Sequence, residues 1–494
     1  MENSLYDRKT SIYEMISNLV LFLFFLPSLA FQFLGERKDF YLLLLANLPA
    51  FVAYVWIVFS QEIEEFFSKS FKSVSKIRMF FSELSNFRFS LRTWIVFGFV
   101  LRFVMFFSDP ILSEDVLRFL WDGLLIQEGI SPFSVLPKDL DLYVFDGSKR
   151  IIATQLLSDM NSAKFYSVYP PLLQFFYFIS AKGMLWFQNI SAGILIWKSV
   201  LIVSECGVLS FLCLILKRNG LPLRRSLIYW MNPLPILEIA GNAHPEPVLL
   251  FFLIGAVYFF WKWNEEQKIK DFLLHIFFLG FGILSKITPL ILLPWVGFII
   301  WERKKFLLLF RTSFSTIVVT LAALFFFWED LFEKQSESGI GVFFQLFEFN
   351  GGVYYLLREF LRATGGNFYL AGKICGLATL VILLAYSYQR RKDKSLRDFF
   401  FTAESIYWIF LFLSTTVHPW YILPLIVFSV FSKNVSPVVW SALVLVSYST
   451  YSVVPYRDSF LWIFLEYGIL FFFLHIDYKV ISSLNPSTRS STVT

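Results

Sequence analysis

Only three cysteines occur in the 494 residues, too few for a disulfide framework. Cys206 and Cys213 fall seven apart inside one apolar run and Cys375 lies in another, placements that suit packing. Charge is thin as well, at 16% of residues, and no basic run of the kind that holds nucleic acid is present. Nucleic acid is therefore excluded as a partner, and the net charge of +6 reads as loop charge that orients helices. Alternating segments of roughly ten residues are missing, which excludes a transmembrane barrel. No internal repeat is found. The first apolar run, from about Ile12, is too long for a cleaved leader and has too little charge ahead of it, so it is expected to be a retained spanning helix.

Apolar and aromatic residues take up the space instead: 57% of the chain is hydrophobic and 63 residues are Phe. A soluble chain of this length would divide into two or three domains, but apolar runs of about 20 residues, the length needed to span a bilayer, recur throughout. The expected fold is an all-α polytopic membrane protein with about 11–13 transmembrane helices. Its expected parts are two N-terminal transmembrane helices plus a cytoplasmic amphipathic segment (1–93), a core with a long outer loop at 108–168 (94–432), and C-terminal helices with a cytoplasmic tail (433–494).

Charge placement orients the chain. Ser11–Leu34 and Phe40–Ser60 read as spans joined by the polar link Gly35–Asp39. Gln61–Arg92 interleaves Lys69, Lys72, Lys76, Arg78, Arg88 and Arg92 with phenylalanines, as a segment lying on the cytoplasmic surface does. The span Trp94–Phe107 then emerges outside, and positive clusters recur on the inner side at 217–225, 262–270, 303–305 and 390–397. Both termini are expected in the cytoplasm. Outer turns are expected at Gly241–Pro247, Ser285–Pro289, Trp328–Asn367, Val417–Tyr421 and Tyr456–Ser459. One stretch breaks the alternation: Pro170–Phe187 and Ser191–Leu216 cannot both cross. Lys182 and two prolines make the former the poorer span, so it is expected to be re-entrant or interfacial.

The long loop, far longer than two adjacent helices need, reads as the working surface. It carries Glu114, Asp115 and Asp122 just beyond an apolar run. A carboxylate pair at a helix mouth can supply a general base or bind a cation, whereas Ser113 or Asp115 could simply cap a helix over Leu117–Leu125. Asp122 falls seven after Asp115, on nearly the same helical face. Further on, Asn232-Pro233-Leu234-Pro235, Glu238 and Gly241 to Glu246 concentrate prolines, polar groups and His244 inside an apolar region, which suits a cavity wall. Lys286 between two apolar arms either snorkels or faces a phosphate. Arg358 and the turn Val417-His418-Pro419-Trp420-Tyr421 are further candidates, and Lys198, Glu205 and Arg102 inside apolar runs read as structural charge pairs.

These motifs resemble known ones. Asp115-Val-Leu-Arg118-Phe-Leu-Trp121-Asp122-Gly123, followed by Gly129-Ile-Ser-Pro132-Phe133, is similar to the first outer loop of C-type glycosyltransferases. The likeness is strongest to bacterial polyprenol-phosphate-mannose-dependent mannosyltransferases. It continues in order through Tyr169-Pro170-Pro171-Leu172, Asn232-Pro233, Gly241 to His244, Lys286-Ile-Thr-Pro289 and His418-Pro-Trp-Tyr421, covering about residues 95–425. Two departures stand out. Phe133 replaces a family Tyr, and where the family often has His-Asn-Asp this chain has His244-Pro245-Glu246, in which Glu246 can serve as the acid but follows a proline.

The resemblance implies a C-type bundle that transfers a sugar, with inversion, from a polyprenyl-phosphate donor to a glycan or glycolipid acceptor at the outer leaflet. Mannose is the family default. It implies Asp115 as general base with Glu114 second, and Arg118, Asp122, His244, Glu246, Lys286, Arg358, His418 and Tyr421 toward substrate, with Asp122 holding the loop's shape rather than touching sugar. No cofactor is expected; a divalent metal is compatible, though a monophosphate leaving group does not require one. A lipid-linked-sugar flippase or secondary transporter is the alternative from another class. A polymerase or ligase using a diphosphate-linked donor is the alternative enzyme. The absent repeat and the long loop weigh against a transporter.

Overall fold

A computed structural model describes residues 19–70, 90–304, 347–432 and 434–484, with isolated positions between 305 and 318. The expected amphipathic segment over 61–92, the outer turn at 328–367 and the cytoplasmic tail lie wholly or partly outside these residues. The chain is an all-α polytopic membrane protein. Five described helices are long and apolar enough to cross a membrane: Phe40–Ser60, Ile190–Arg218, Glu246–Glu266, Phe368–Gln389 and Phe460–Lys479. Shorter apolar helices at Leu19–Leu34, Thr288–Glu302 and Pro419–Ser432 add to them. One buried cluster runs from Phe25 to Leu470, so N-terminal, central and C-terminal helices share a single core.

In chain order the elements that matter are α1 (Leu26–Leu34), α2 (Phe40–Ser70), α3 (Leu91–Phe106), α4 (Asp115–Gln127), α5 (Gly147–Asp159), α6 (Pro171–Phe187) and α7 (Ile190–Arg218). They are followed by α8 (Glu246–Glu266), α9 (Ile269–Ser285), α10 (Leu293–Glu302), α11 (Gly352–Ala363), α12 (Ala371–Gln389), α13 (Leu396–Leu413), α14 (Leu423–Ser432), α15 (Ser436–Leu443) and α16 (Phe460–Leu484). Of the five candidate spans α8 is the most enclosed, with 83% of its apolar window buried against 17% for Phe368–Gln389. It is apolar all round, as a helix surrounded by other helices must be.

The two ends of the bundle differ in chemistry. At one end the basic clusters gather: Arg218 pairs with Glu266, Arg303 Nε donates to Asn264 Oδ1 at 3.0 Å, Arg391 Nε to Glu302 at 3.1 Å, and Arg224 Nη2 to the Ile57 carbonyl at 2.7 Å. The carboxylates, histidines and Lys286 named above lie toward the other end. Between Leu227 and Gly241 the chain reaches that end through a broken path. A short helical turn at Leu227–Trp230 stops at Asn232-Pro233, whose Asn side chain caps the next turn through Leu234 N–H, and Ile236–Gly241 winds as a π-helix. Every residue from Tyr229 to His244 is buried, so this irregular backbone is packed inside protein rather than exposed to lipid.

Two polar ties hold the bundle interior. The Arg102 guanidinium makes a two-pronged ion pair with Glu205, Nε to Oε2 at 2.9 Å and Nη2 to Oε1 at 2.8 Å. Lys198 takes a different role: its ammonium donates to the Met105 and Ser108 carbonyls at 3.1 and 2.6 Å, satisfying the carbonyl end of α3. This contact also fixes the level of α7, because Lys198 near its start sits at the C-terminal end of α3. Helix α6 therefore begins beside Asp122 of the loop and ends beside the start of α7, with both ends on the same side of the bundle. It lies along α4, and Gly123 allows the approach, since a Cβ there would overlap the Tyr177 carbonyl.

Candidate active site

The loop 108–170 is an ordered structure built around α4. The Asn242 side chain accepts hydrogen bonds from the Ile111 and Leu112 amides at 3.1 and 2.9 Å, which pins the start of the loop to the π-helix. The chain then turns and α4 begins at Asp115, whose amide donates to the Ser113 hydroxyl at 3.2 Å. The expected helix is present, extending through Gln127. Asp122 is sealed beneath it: Arg118 Nε donates to Oδ1 at 2.6 Å, and Ser167 Oγ and Gln174 Nε2 donate to Oδ2 at 2.5 and 3.0 Å. Arg118 Nη1 also donates to the Ser162 and Phe165 carbonyls, at 3.1 and 2.6 Å. This network knots the far end of the loop to α4 and α6, and both oxygens of Asp122 are engaged within the protein.

Asp115, by contrast, is half-buried at the first turn of α4. Burial raises its carboxyl to about 6, offset by the positive charge of Arg37 and reinforced by the negative charges of Glu114 and Glu246. Tyr169, Tyr177, Tyr421 and Tyr451 complete the titratable groups that interact with it. A carboxyl tuned near 6 is ionised at neutral pH yet basic enough to take a proton from a hydroxyl as a bond forms. Glu114 is committed elsewhere: its Oε2 accepts from Arg37 Nη1 and Asn161 Nδ2, both at 2.7 Å.

Glu246 starts α8, and its Oε1 accepts from the Lys286 ammonium at 2.6 Å while Oε2 is buried without a partner. Lys286 is extended backbone at the end of α9, and its ammonium lies 3.9 Å from the Tyr421 ring centroid. Ala243, just ahead, has a left-handed backbone (φ 64°), a conformation costing roughly 1–2 kcal/mol for a residue with a Cβ. Trp197 Nε1 holds it by donating to its carbonyl at 2.8 Å. The strained turn aims His244 into a stack of rings. His244 lies 3.4 Å from Trp420, Trp420 lies 4.5 Å from His418, and His418 lies 4.5 Å from Phe349, centroid to centroid. Phe349 continues to Tyr451 at 5.9 Å, and the Arg37 guanidinium caps the far end 3.4 Å over Tyr451.

Burial holds both imidazoles below the usual histidine range, His418 at about 3 and His244 well below normal, with Lys286 and Arg37 adding to the effect in each case. They are neutral at physiological pH. Both nitrogens of His244 and Nδ1 of His418 are buried without a hydrogen-bond partner. His244 Nε2 lies 3.4 Å from Glu238 Oε2. Neutral imidazoles can donate to or accept from a substrate but bring no charge; charge comes from Lys286 and Arg37.

Asp115, Glu246, Lys286, His244, His418 and Tyr421 thus come together from four separate stretches. Arg358 does not join them: Glu348 and Glu359 engage its guanidinium, which packs 4.5 Å over Tyr355. Sequence reasoning missed Arg37, together with Tyr448, whose hydroxyl donates to Glu238 Oε1 at 2.9 Å, and Tyr451. The available signal was an arginine on an outer link, against the usual inward bias of positive residues.

Residues 79–302 match the family described as alpha-(1->6)-mannopyranosyltransferase, N-terminal domain. Over that stretch the chain is similar to a mannosyltransferase-family domain. The matched stretch is just under half of the chain. It contains Glu114, Asp115, His244, Glu246 and Lys286, and it supports assignment of the protein as a membrane glycosyltransferase. Arg37, Arg358, His418 and Tyr421 of this mannosyltransferase-like protein lie beyond it. No curated protein and no solved structure matches the chain. Among the described residues no three His, Cys, Asp or Glu side chains are grouped to hold a metal ion.

Proposed function

We propose that this protein transfers mannose, with inversion, from a polyprenyl-phosphate donor to a hydroxyl of an acceptor glycan or glycolipid at the outer membrane surface. The observation that carries the reading is the convergence of one half-buried carboxylate of raised pKa, Asp115, with Lys286 and two neutral histidines, at a site to which the stretch similar to a mannosyltransferase family contributes Asp115, His244 and Lys286. Asp115 takes the acceptor proton, the acceptor oxygen bonds the anomeric carbon, and the bond from that carbon to the phosphate oxygen breaks. Its electron pair leaves with the lipid phosphate, which passes from monoanion to dianion. Lys286 and the imidazole N–H groups stabilise that growing charge in a setting that excludes water. The cations within the chain supply the charge this step needs, and no metal enters it. Glu246 holds the Lys286 ammonium in place, and Tyr421 forms its apolar floor. Positive residues are retained on the cytoplasmic side, so the basic end of the bundle faces inward and the site outward.

The donor is tested with purified protein given polyprenyl-phosphate mannose, the matching diphosphate lipid and a nucleotide-linked mannose, each with a mannoside acceptor. Transfer from the monophosphate lipid alone is the expected result; product from the diphosphate donor instead would replace this reading by a polymerase-type one. The base leaves its own mark on pH. Asp115 works only when ionised, so kcat/KM is expected to be flat above about pH 7 and to fall tenfold per unit below about pH 6. A profile with no acid limb between pH 5 and 7 would remove Asp115 from the role.

A further inference from the structure

Arg37 lies in the short link between α1 and α2, outside the stretch matched to the mannosyltransferase family, yet it stands among the groups of the site. Its side chain is 15% exposed. One nitrogen, Nη1, donates to Glu114, and the flat face of the guanidinium rests on the Tyr451 ring. Stacking of this kind uses the face and leaves the edge, with its fork of N–H groups, for oxygen atoms. That edge is only partly filled: Nε is buried and has no hydrogen-bond partner. A buried donor left open is rare enough in folded proteins to need a cause. The carboxylate bonded to it, Glu114, divides one oxygen between Arg37 and Asn161.

Position narrows what the missing acceptor is. Arg37 and Lys286 act electrostatically on the same two histidines, His244 and His418, and Arg37 acts on Asp115 as well. Two cations delivered by unrelated parts of the chain therefore converge on one stack of neutral rings. One of them, Lys286, already has a carboxylate of its own in Glu246. An anion with several oxygens, able to reach the open Arg37 edge and the imidazole nitrogens, completes the arrangement. A lipid-linked phosphate has that shape and gains charge on transfer.

We propose that Arg37 binds the phosphate of the lipid donor, Glu114 holding the guanidinium in place on Tyr451 while its free edge receives the phosphate oxygens. The proposal rests on the reading of the site as a polyprenyl-phosphate-dependent transferase. It makes the N-terminal hairpin part of donor recognition, with Arg37 positioning the leaving group while Asp115 removes the acceptor proton.

The test uses farnesyl phosphate and farnesol as probes, which share a chain and differ by the phosphate, with binding to the purified full-length protein measured by calorimetry. In Arg37→Gln the affinity for farnesyl phosphate is expected to fall roughly tenfold to a hundredfold, the range for losing a charge-assisted hydrogen-bonded contact, with farnesol affinity unchanged. Arg37→Lys is expected to recover part of the phosphate affinity. Equal loss for both probes would mean that Arg37 only holds the hairpin in place, and unchanged binding, or a wild type that binds the two probes alike, would also overturn the proposal. Binding of farnesyl phosphate that depends on Arg37, in a protein that moves no sugar from any lipid phosphate, would sink the transferase reading and leave the anion site standing.

Discussion

Asp115→Asn is expected to lower kcat for sugar transfer by about 10²- to 10⁴-fold, the range in which a positioned general base contributes. The substitution is nearly isosteric and keeps the backbone of Asp115, so its amide bond to Ser113 and the start of α4 are preserved. What disappears is the capacity to accept a proton. Glu114 is adjacent but drawn toward other partners, since Arg37 and Asn161 both donate to its Oε2. Glu246 is engaged by Lys286. The measurement is steady-state transfer by the purified variant alongside binding of farnesyl phosphate. Loss of kcat with binding intact is the expected pair of results, and a variant within tenfold of wild type in kcat would end the assignment.

The second large effect is on stability. Glu205→Gln is expected to destabilise the protein by about 3–5 kcal/mol, because it strands a guanidinium that is fully buried. Arg102 sits over Trp230 at 3.9 Å and also donates to the Gly98 and Trp230 carbonyls, at 3.1 and 2.8 Å, so it cannot turn away toward water. Tyr229 donates to the same carboxylate at 3.1 Å and loses a charged acceptor too. The double variant Arg102→Met with Glu205→Leu removes both charges and is expected to recover most of the loss, since apolar replacements of similar volume often match a buried ion pair. Thermal unfolding of the purified single and double variants measures the cycle. A double variant as unstable as the single one would show that the pair contributes more than mutual neutralisation.

Much of this was legible in the chain because membrane proteins confine polar residues to places that need them. Asp115, His244, Lys286 and His418 each stand where an apolar run breaks, and charge bias assigned those breaks to one side. A count of crossings that failed to close drew attention to α6, which packs along α4. Partnership was not legible. Lys198 and Glu205 are seven apart on one helix, yet each finds its partner on α3, because the helix packed against them decides which charge is in reach. Arg358 and Arg37 look alike in the sequence, each an arginine near an expected outer turn. Glu348 and Glu359 draw one of them aside, while Tyr451, more than 400 positions away, holds the other in the site. No local pattern carries information of that range.

The line of rings from His244 through Trp420, His418 and Phe349 to Tyr451 has a bearing on how the protein comes into being. Its members are strung along the polypeptide from residue 244 to residue 451, and its capping arginine is residue 37. During synthesis the earliest helices must wait in the bilayer until nearly the whole chain has been threaded in beside them. Through that interval Arg37 and Glu114 have each other but no aromatic bed, and Lys286 has Glu246 but not Tyr421. The ring stack is complete only once the segment carrying Tyr451 is in place, so a chain inserted only through the family-matched stretch lacks His418, Trp420, Phe349 and Tyr451.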